Sequence, residues 1–235
     1  FFMFLFDERF YFDDRGQSDL WEATWRHAEP FIPLAVHEIE LILPHPTENG
    51  SLILTIDSCF RSPNTPLKVL QDYADVYSFS DYKAMSTCLK SFRCFGQYKS
   101  SWICPFFTLC PLEGIDQTMW INPFSVCEIE TKDGILFAAL QSGHVVSLPI
   151  QRRSFIQRIE LSCLALAAWR RECFYFSIQG TKPLDYLPFP DERFSKLLKQ
   201  RAALQYFTIP YGELFKRYQQ TLLLLSYEEF EDDFS

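Results

Sequence analysis

WINPFSVCEIETKDGILFAALQSGHVVSLPI, residues 120–150, carries the pattern that decides the fold. Two short turn signals, Lys132-Asp133-Gly134 and Ser142-Gly143, cut it into apolar runs rich in β-branched and aromatic residues. Trp120–Ile129, Ile135–Leu140 and His144–Ile150 read as successive strands, and turns this short join neighbours antiparallel, as a meander. After Pro149 the periodicity becomes helical. Phe155, Ile159, Leu166, Trp169 and Cys173 fall within about 40° of one line at about 100° per residue, a helix with one face in a core. Ser154-Phe155-Ile156-Gln157 reads as a capping box at its start.

Working outward, Val36–Leu43 and Leu52–Ile56 flank the turn cluster Pro44–Gly50 and read as a hairpin. Pro63 and Pro66 mark a loop, and Leu67–Tyr77 a short helix. Trp102–Leu109 is apolar, but Pro105 restricts it to an edge or irregular strand. On the other side, Gly180 and Pro183 end the long helix, and Pro188 and Pro190 mark a loop. Asp191–Leu204 and Leu214–Leu225 read as helices separated near Pro210-Tyr211-Gly212. The expectation is an α+β fold: an antiparallel β-rich core, meander or partly closed sheet, with C-terminal helices. Residues 1–30 read as an N-terminal extension, disordered or non-native, with a short amphipathic helix over Asp19–His27. Residues 31–150 form the β-rich core, 151–226 the helical part of the same domain, and 227–235 an acidic tail.

At 235 residues, 48% apolar and with 24 phenylalanines, the chain has ample core material and is not of disordered composition. The apolar stretch Leu161–Trp169 is about half a membrane span, so no membrane partner is expected. Phe1–Phe6 lacks a basic flank and is a poor signal peptide. A start at Phe1 suggests that the true start lies upstream, and the protein is expected in the cytoplasm. The eight cysteines (Cys59, Cys88, Cys94, Cys104, Cys110, Cys127, Cys163 and Cys173) read as reduced, buried small hydrophobes. The spacing Cys88-x5-Cys94-x9-Cys104-x5-Cys110 is regular, but paired zinc ligands usually lie two to four residues apart. No metal or cofactor is expected.

Charge is segregated. The net charge is -8, yet residues 1–50 hold ten acids against three bases and the tail 227–235 five acids and no base. Residues 82–112 hold four bases and no acid, and residues 151–201 ten bases against five acids. In the first basic island Lys90, Arg93 and Lys99 alternate with Phe92, Phe95 and Tyr98, and Gly96 interrupts the run. Cations interleaved with rings suit a polyanion, the cations meeting phosphates and the rings anchoring or stacking. In the second island Arg153 and Arg171 share one helix angle five turns, or roughly 27 Å, apart. From charge alone, each island reads as a solvated face. Enzyme chemistry has little to work with: four histidines, no Gly-rich phosphate loop and no nucleophile motif. His144 follows Gly143 from turn into strand, a structural position. No catalytic residue is assigned.

Several blocks, in order, resemble the competence transcription factor (ComK) family of Gram-positive bacteria. Ser91-Phe92-Arg93-Cys94-Phe95-Gly96 with Tyr98 resembles that family's Cys-Arg-Phe-Phe-Gly segment, and Phe106-Phe107-Thr108-Leu109 its Phe-Pro-Thr-Leu block. Trp120-Ile121 resembles its Trp-Ile segment. Ser142-Gly143 through Leu148-Pro149-Ile150 to Ser154-Phe155, with Trp169 beyond, resembles its Asn-Gly … Leu-Pro-Ile … Ser-Phe run. The order holds from about residue 36 to residue 225.

The resemblance implies a sequence-specific DNA-binding transcriptional activator of genetic competence, associated with the nucleoid. It implies binding of paired A·T-rich boxes through the minor groove, with bending, by dimers that assemble in pairs. That mode uses cationic and polar side chains at a narrow groove and along the backbone. Charge placement then nominates Lys90, Arg93, Lys99, Arg152, Arg153, Arg158, Arg170 and Arg171 as nucleic-acid contacts. The resemblance also implies a proteolytic adaptor that reads an aromatic–hydrophobic–Pro motif. Tyr206, Phe207, Ile209 and Pro210 lie where that motif would, with Thr208 in place of a hydrophobe. The alternative is a degenerate paralogue, a protein-interaction module that does not bind DNA.

Overall fold

A computed structural model describes residues 11–13, 18–96, 99–112, 118–173 and 180–233. The first half of the chain runs β1 (Tyr11–Phe12), α1 (Asp19–His27), β2 (Glu29–Pro30), β3 (Leu41–Pro44), β4 (Ser51–Leu54), β5 (Cys59–Ser62), α2 (Pro66–Tyr77) and α3 (Tyr82–Lys90). The second runs β6 (Trp102–Ile103), β7 (Thr108–Leu112), β8 (Met119–Ile121), β9 (Val126–Lys132), β10 (Ile135–Leu140), β11 (Val145–Leu148), α4 (Arg152–Cys173), α5 (Arg193–Lys199) and α6 (Glu213–Asp233). Among the described residues the strands form two sheets, in orders β1-β11-β10-β9 and β2-β5-β4-β3-β8-β7-β6. Pairing is antiparallel except where β1 joins β11 and β2 joins β5. The α+β class, the meander and the C-terminal helices are as expected; among the described residues neither sheet closes on itself.

The meander forms for the reason its turns gave. Asp133 and Gly134 have φ of 51° and 81°, and Lys132 pairs with Ile135. Positive φ at both central residues matches the twist of the flanking strands. The expected hairpin pairs Leu41 with Leu54 and Pro44 with Ser51. At its turn Gly50 has φ of 149°, and a Cβ there would meet the Ser62 carbonyl at 3.0 Å. Trp102–Leu109 is a hairpin instead of one strand: β6 is the sheet edge, and the chain reverses over Cys104–Phe107.

The single strand expected over Trp120–Ile129 is broken. Asn122 accepts the Phe124 N–H at 3.0 Å, Pro123 has no N–H to give a ladder, and Pro123–Ser125 forms one 3₁₀ turn. The chain there leaves the larger sheet at β8 and enters the smaller at β9. The expected capping box is also corrected: α4 begins at Arg152, so Ser154 lies inside its first turn. The helix expected over Asp191–Leu204 is split into α5 and a 3₁₀ turn at Ala202–Leu204, and α6 runs on to Asp233 through the expected tail. Helix α3 was not expected. Asp81 caps it, accepting the Ala84 N–H at 2.6 Å.

Residues 1–30 are no appendage where they are described. Phe12 and Trp21 are fully buried, β1 and β2 each extend a sheet, and α1 spans the expected Asp19–His27. Trp21 packs against Phe12 and His45, with ring centroids 5.9 and 5.7 Å apart. Helix α4 is buried on nearly every side along Ser162–Trp169, against β7 and α6. The expected stripe is there, Phe155, Ile159, Leu166 and Trp169 all being buried and Cys173 partly so. No described helix is long and apolar enough to cross a membrane.

Trp21→Ala should therefore destabilise the fold by about 3–5 kcal/mol, the cost of emptying a buried aromatic site. Arg26→Ala, on the exposed face of the same helix, should stay within about 0.5 kcal/mol. Urea unfolding of the two variants measures both.

Candidate nucleic-acid interface

Helix α3 delivers the first basic island. Beyond it the chain turns through Ser91–Gly96, with Gly96 at φ of 73°. Arg217, from α6, fixes that turn: its guanidinium lies 4.2 Å from the Phe92 ring centroid and donates to the Ser91 carbonyl at 2.9 Å. Phe92 is thereby buried, and Phe95 packs edge-on against it at 6.3 Å. Phe92 thus serves the fold instead of standing out as a platform for bases. Tyr98 lies outside the described residues.

The turn forms one wall of a cleft of about 420 Å³, and the first half of α4 forms the other. Arg93 and Lys99 line it from the turn side, Arg158 from α4, with Ser100, Ser154 and Gln157 between them. Arg158 is tethered by a 3.3 Å hydrogen bond to the Pro111 carbonyl, and Lys99 donates to Thr118 Oγ1. Arg93 is exposed. Three guanidinium or ammonium groups with hydroxyl and amide donors between them suit a phosphate or a phosphodiester. No acid lines the cleft among the described residues. Sequence reasoning missed the polar groups between the cations; Lys99-Ser100-Ser101, where a cation precedes two hydroxyls, was the available signal.

The other nominated residues do not join this cleft. Lys90 ends α3, half-buried. Arg152 lines a separate, larger groove of about 780 Å³ that Asp13 and Asp133 also line. Arg153 is exposed, but Arg171, at the same helix angle, is not available. Its side chain is 8% exposed, pairs with Glu172 at 2.7 Å and lies 3.8 Å from the Phe207 ring centroid. It also donates to the carbonyls of Ile209 and Pro210 at 3.1 and 3.2 Å. Arg170 donates to the Tyr186 carbonyl at 2.7 Å, and burial pulls its guanidinium pKa below the usual value. Both are spent on the fold.

The same contacts bear on Tyr206–Pro210. Ile209 is buried and Phe207 is held beneath Arg171, while Tyr206 and Pro210 are exposed. An adaptor reading the motif as an extended peptide would have to pull Ile209 from the core. All eight cysteines carry free thiols. Burial pushes the thiols of Cys88, Cys104 and Cys110 up to about 12. Among the described residues no group of three or more His, Cys, Asp and Glu side chains is placed to hold a metal ion.

No protein-family model matches the chain, and no curated protein and no solved structure matches it.

Two arginines that look alike in the sequence should separate on mutation. Arg171→Ala removes the ion-pair partner of buried Glu172, leaving it the Phe215 N–H at 2.8 Å, and should cost about 3 kcal/mol of stability. Arg153→Ala should change stability by less than about 0.5 kcal/mol. Thermal and denaturant unfolding distinguish them.

Proposed function

We propose that the protein binds double-stranded DNA, with Arg93, Lys99 and Arg158 meeting the phosphate backbone. One observation carries the reading: the two basic islands, about sixty residues apart in the chain, meet in a single cleft free of acids among its described lining. Affinity for a polyanion follows local phosphate neutralisation, so a net charge of -8 does not oppose it when the acids lie elsewhere. The resemblance to the ComK family supplies the finer reading: an A·T-rich duplex, contacted in the minor groove by a self-associating transcriptional activator of competence. The rings of the first island play a smaller part than the alternation suggests, because Phe92 is buried.

A second reading, a protein-interaction module without DNA binding, draws on α6. Leu223, Leu224 and Tyr227 are each about two-thirds exposed or more, an apolar face that a surface helix rarely leaves bare. Arg170 and Arg171, spent on internal contacts, favour the same reading.

Three phosphate contacts predict a log–log salt slope of about -2.7, or roughly a 40-fold loss of affinity between about 50 and 200 mM salt. Arg93→Ala and Arg158→Ala should each shallow the slope by about 0.9, and Arg153→Ala should leave it unchanged. Fluorescence anisotropy with A·T-rich and G·C-rich duplexes measures this. A flat salt dependence, or binding that survives Arg93→Ala/Arg158→Ala intact, removes the cleft from the reading; equal affinity for the two duplexes removes the A·T preference.

A further inference from the structure

We propose that the cationic cleft is also a receptor for a small phosphate monoester with an apolar body, and that such a ligand displaces DNA from it. The proposal rests on the reading of Arg93, Lys99 and Arg158 as phosphate contacts and extends it from the exposed cations to the interior of the cleft. Those cations are only part of the lining. Phe95, from the turn after α3, and Leu161, from α4, also line the cleft, and each is partly exposed. The lining grades inward. Arg93 and Lys99 are exposed, Arg158 is half-buried, and Leu89, Pro111 and Ala165 are buried.

A DNA duplex leaves this interior unused. It presents its phosphates on a convex surface, so the backbone meets the exposed cations and spans the cleft. Its paired bases stay in the stack and do not reach Phe95 or Leu161. A small molecule can enter. The volume of about 420 Å³ lies inside the range of about 300–1,000 Å³ usual for small-molecule sites. The lining has their composition too, apolar surface with a few polar groups to orient the ligand. The larger groove beside Arg152 does not suit an anion in this way, because Asp13 and Asp133 stand in its wall.

The two parts of the lining define the two parts of the ligand. Three cations, with no acid among the described lining, favour a dianion. A phosphate monoester carries about -1.5 to -2 charges near neutral pH and three acceptor oxygens, where a carboxylate brings one charge. Exposed Ser154 and Gln157 add neutral donors from the first two turns of α4, the end of a helix that favours an anion. Phe95 and Leu161 offer apolar contact and no hydrogen-bonding group, so the body they fit is a ring or a short alkyl chain, not a sugar. The volume has no room for the two acyl chains of a membrane phospholipid. Ligand and DNA draw on the same Arg93 and Arg158, and a dianion held there cancels the charge that the backbone would meet.

Isothermal titration of the full chain in phosphate-free buffer tests the site. Phenyl phosphate should bind saturably, at least about tenfold more tightly than inorganic phosphate, the gain from burying part of a ring. Ribose 5-phosphate, with a polar body, should bind like inorganic phosphate, and uncharged phenol should not bind. Arg158→Ala should weaken phenyl phosphate about tenfold or more, the loss of a charge-assisted hydrogen bond. Leu161→Gln should erase most of its advantage over inorganic phosphate, with thermal unfolding to show that the variant is folded. In fluorescence anisotropy phenyl phosphate should release a labelled duplex at concentrations near its own Kd, and inorganic phosphate at those concentrations should not. The proposal is overturned if phenyl phosphate binds no better than inorganic phosphate, if Arg158→Ala and a folded Leu161→Gln both bind it like the parent, or if it binds and leaves the duplex in place. Salt-dependent DNA binding beside any of these results overturns this proposal alone. Phenyl phosphate binding to a chain that does not bind DNA overturns the nucleic-acid reading, and with it the displacement, and supports the small-molecule site.

Discussion

Helix α4 passes through the interior with charges on it, and the charges it carries inward are met by groups beyond the helix, with Arg171 also pairing with Glu172 beside it. Glu160 is buried; Arg201 meets it at 2.7 Å and the Ala203 N–H at 3.0 Å. Arg170 reaches the Tyr186 carbonyl, and Arg171 reaches Glu172, Ile209 and Pro210. The partners beyond the helix lie between residues 186 and 210, so the described C-terminal segments are bound to the helix by its electrostatics as well as by its apolar stripe. A hydrogen bond to a charged group is worth about 1.5–3 kcal/mol net, and losing one partner of a buried set costs more. The path of the chain after α4 follows from this requirement.

The same requirement sorts the basic residues. Arg153 and Arg171 lie eighteen residues apart and so share one helix angle, but an angle does not say what covers each end. The C-terminal end of α4 lies under the Phe207–Pro210 segment, while its N-terminal end is open. Arg158 sits between these extremes, tethered by one carbonyl yet lining the cleft. An arginine with three internal hydrogen-bond partners and a ring against it would have to give them up to meet a phosphate, and the exchange gains nothing. Of the α4 arginines, only Arg158 therefore joins Arg93 and Lys99 in the cationic cleft.

Local patterns in the sequence were enough for the elements whose causes are local. The meander was readable because Asp133-Gly134 and Ser142-Gly143 are turn chemistry between apolar runs, and α1 because Trp21 and Trp25 recur at helical spacing. Helix α3 was not readable in the same way, since its polar Ser86-Thr87 and cationic Lys83 and Lys90 blurred the apolar period; the Asp81 cap was the remaining clue. β1 and β2 pair over two residues each, in a segment held by Phe12 and Trp21 packing against His144 and His45. The break in Trp120–Ile129 was signalled by Asn122-Pro123. Of the candidate site, the cations were legible one by one. Their grouping was not, because the turn that aims Arg93 is held by Arg217, more than a hundred residues away.

A chain of net charge -8 can hold a polyanion only if its field is uneven, and the fold makes it so. Arg93, Lys99 and Arg158 gather where no described acid lines the wall, while Glu38, Glu40 and Asp57 gather around a cavity with no described cation. At physiological ionic strength the Debye length is about 8 Å, so charges further away than that contribute little to either place. Each place then experiences mainly its own walls, basic in one and acidic in the other. As salt is lowered the reach lengthens and the overall negative charge begins to oppose the approach of a polyanion. The distribution of charge over the surface, more than its sum, governs what this protein can hold.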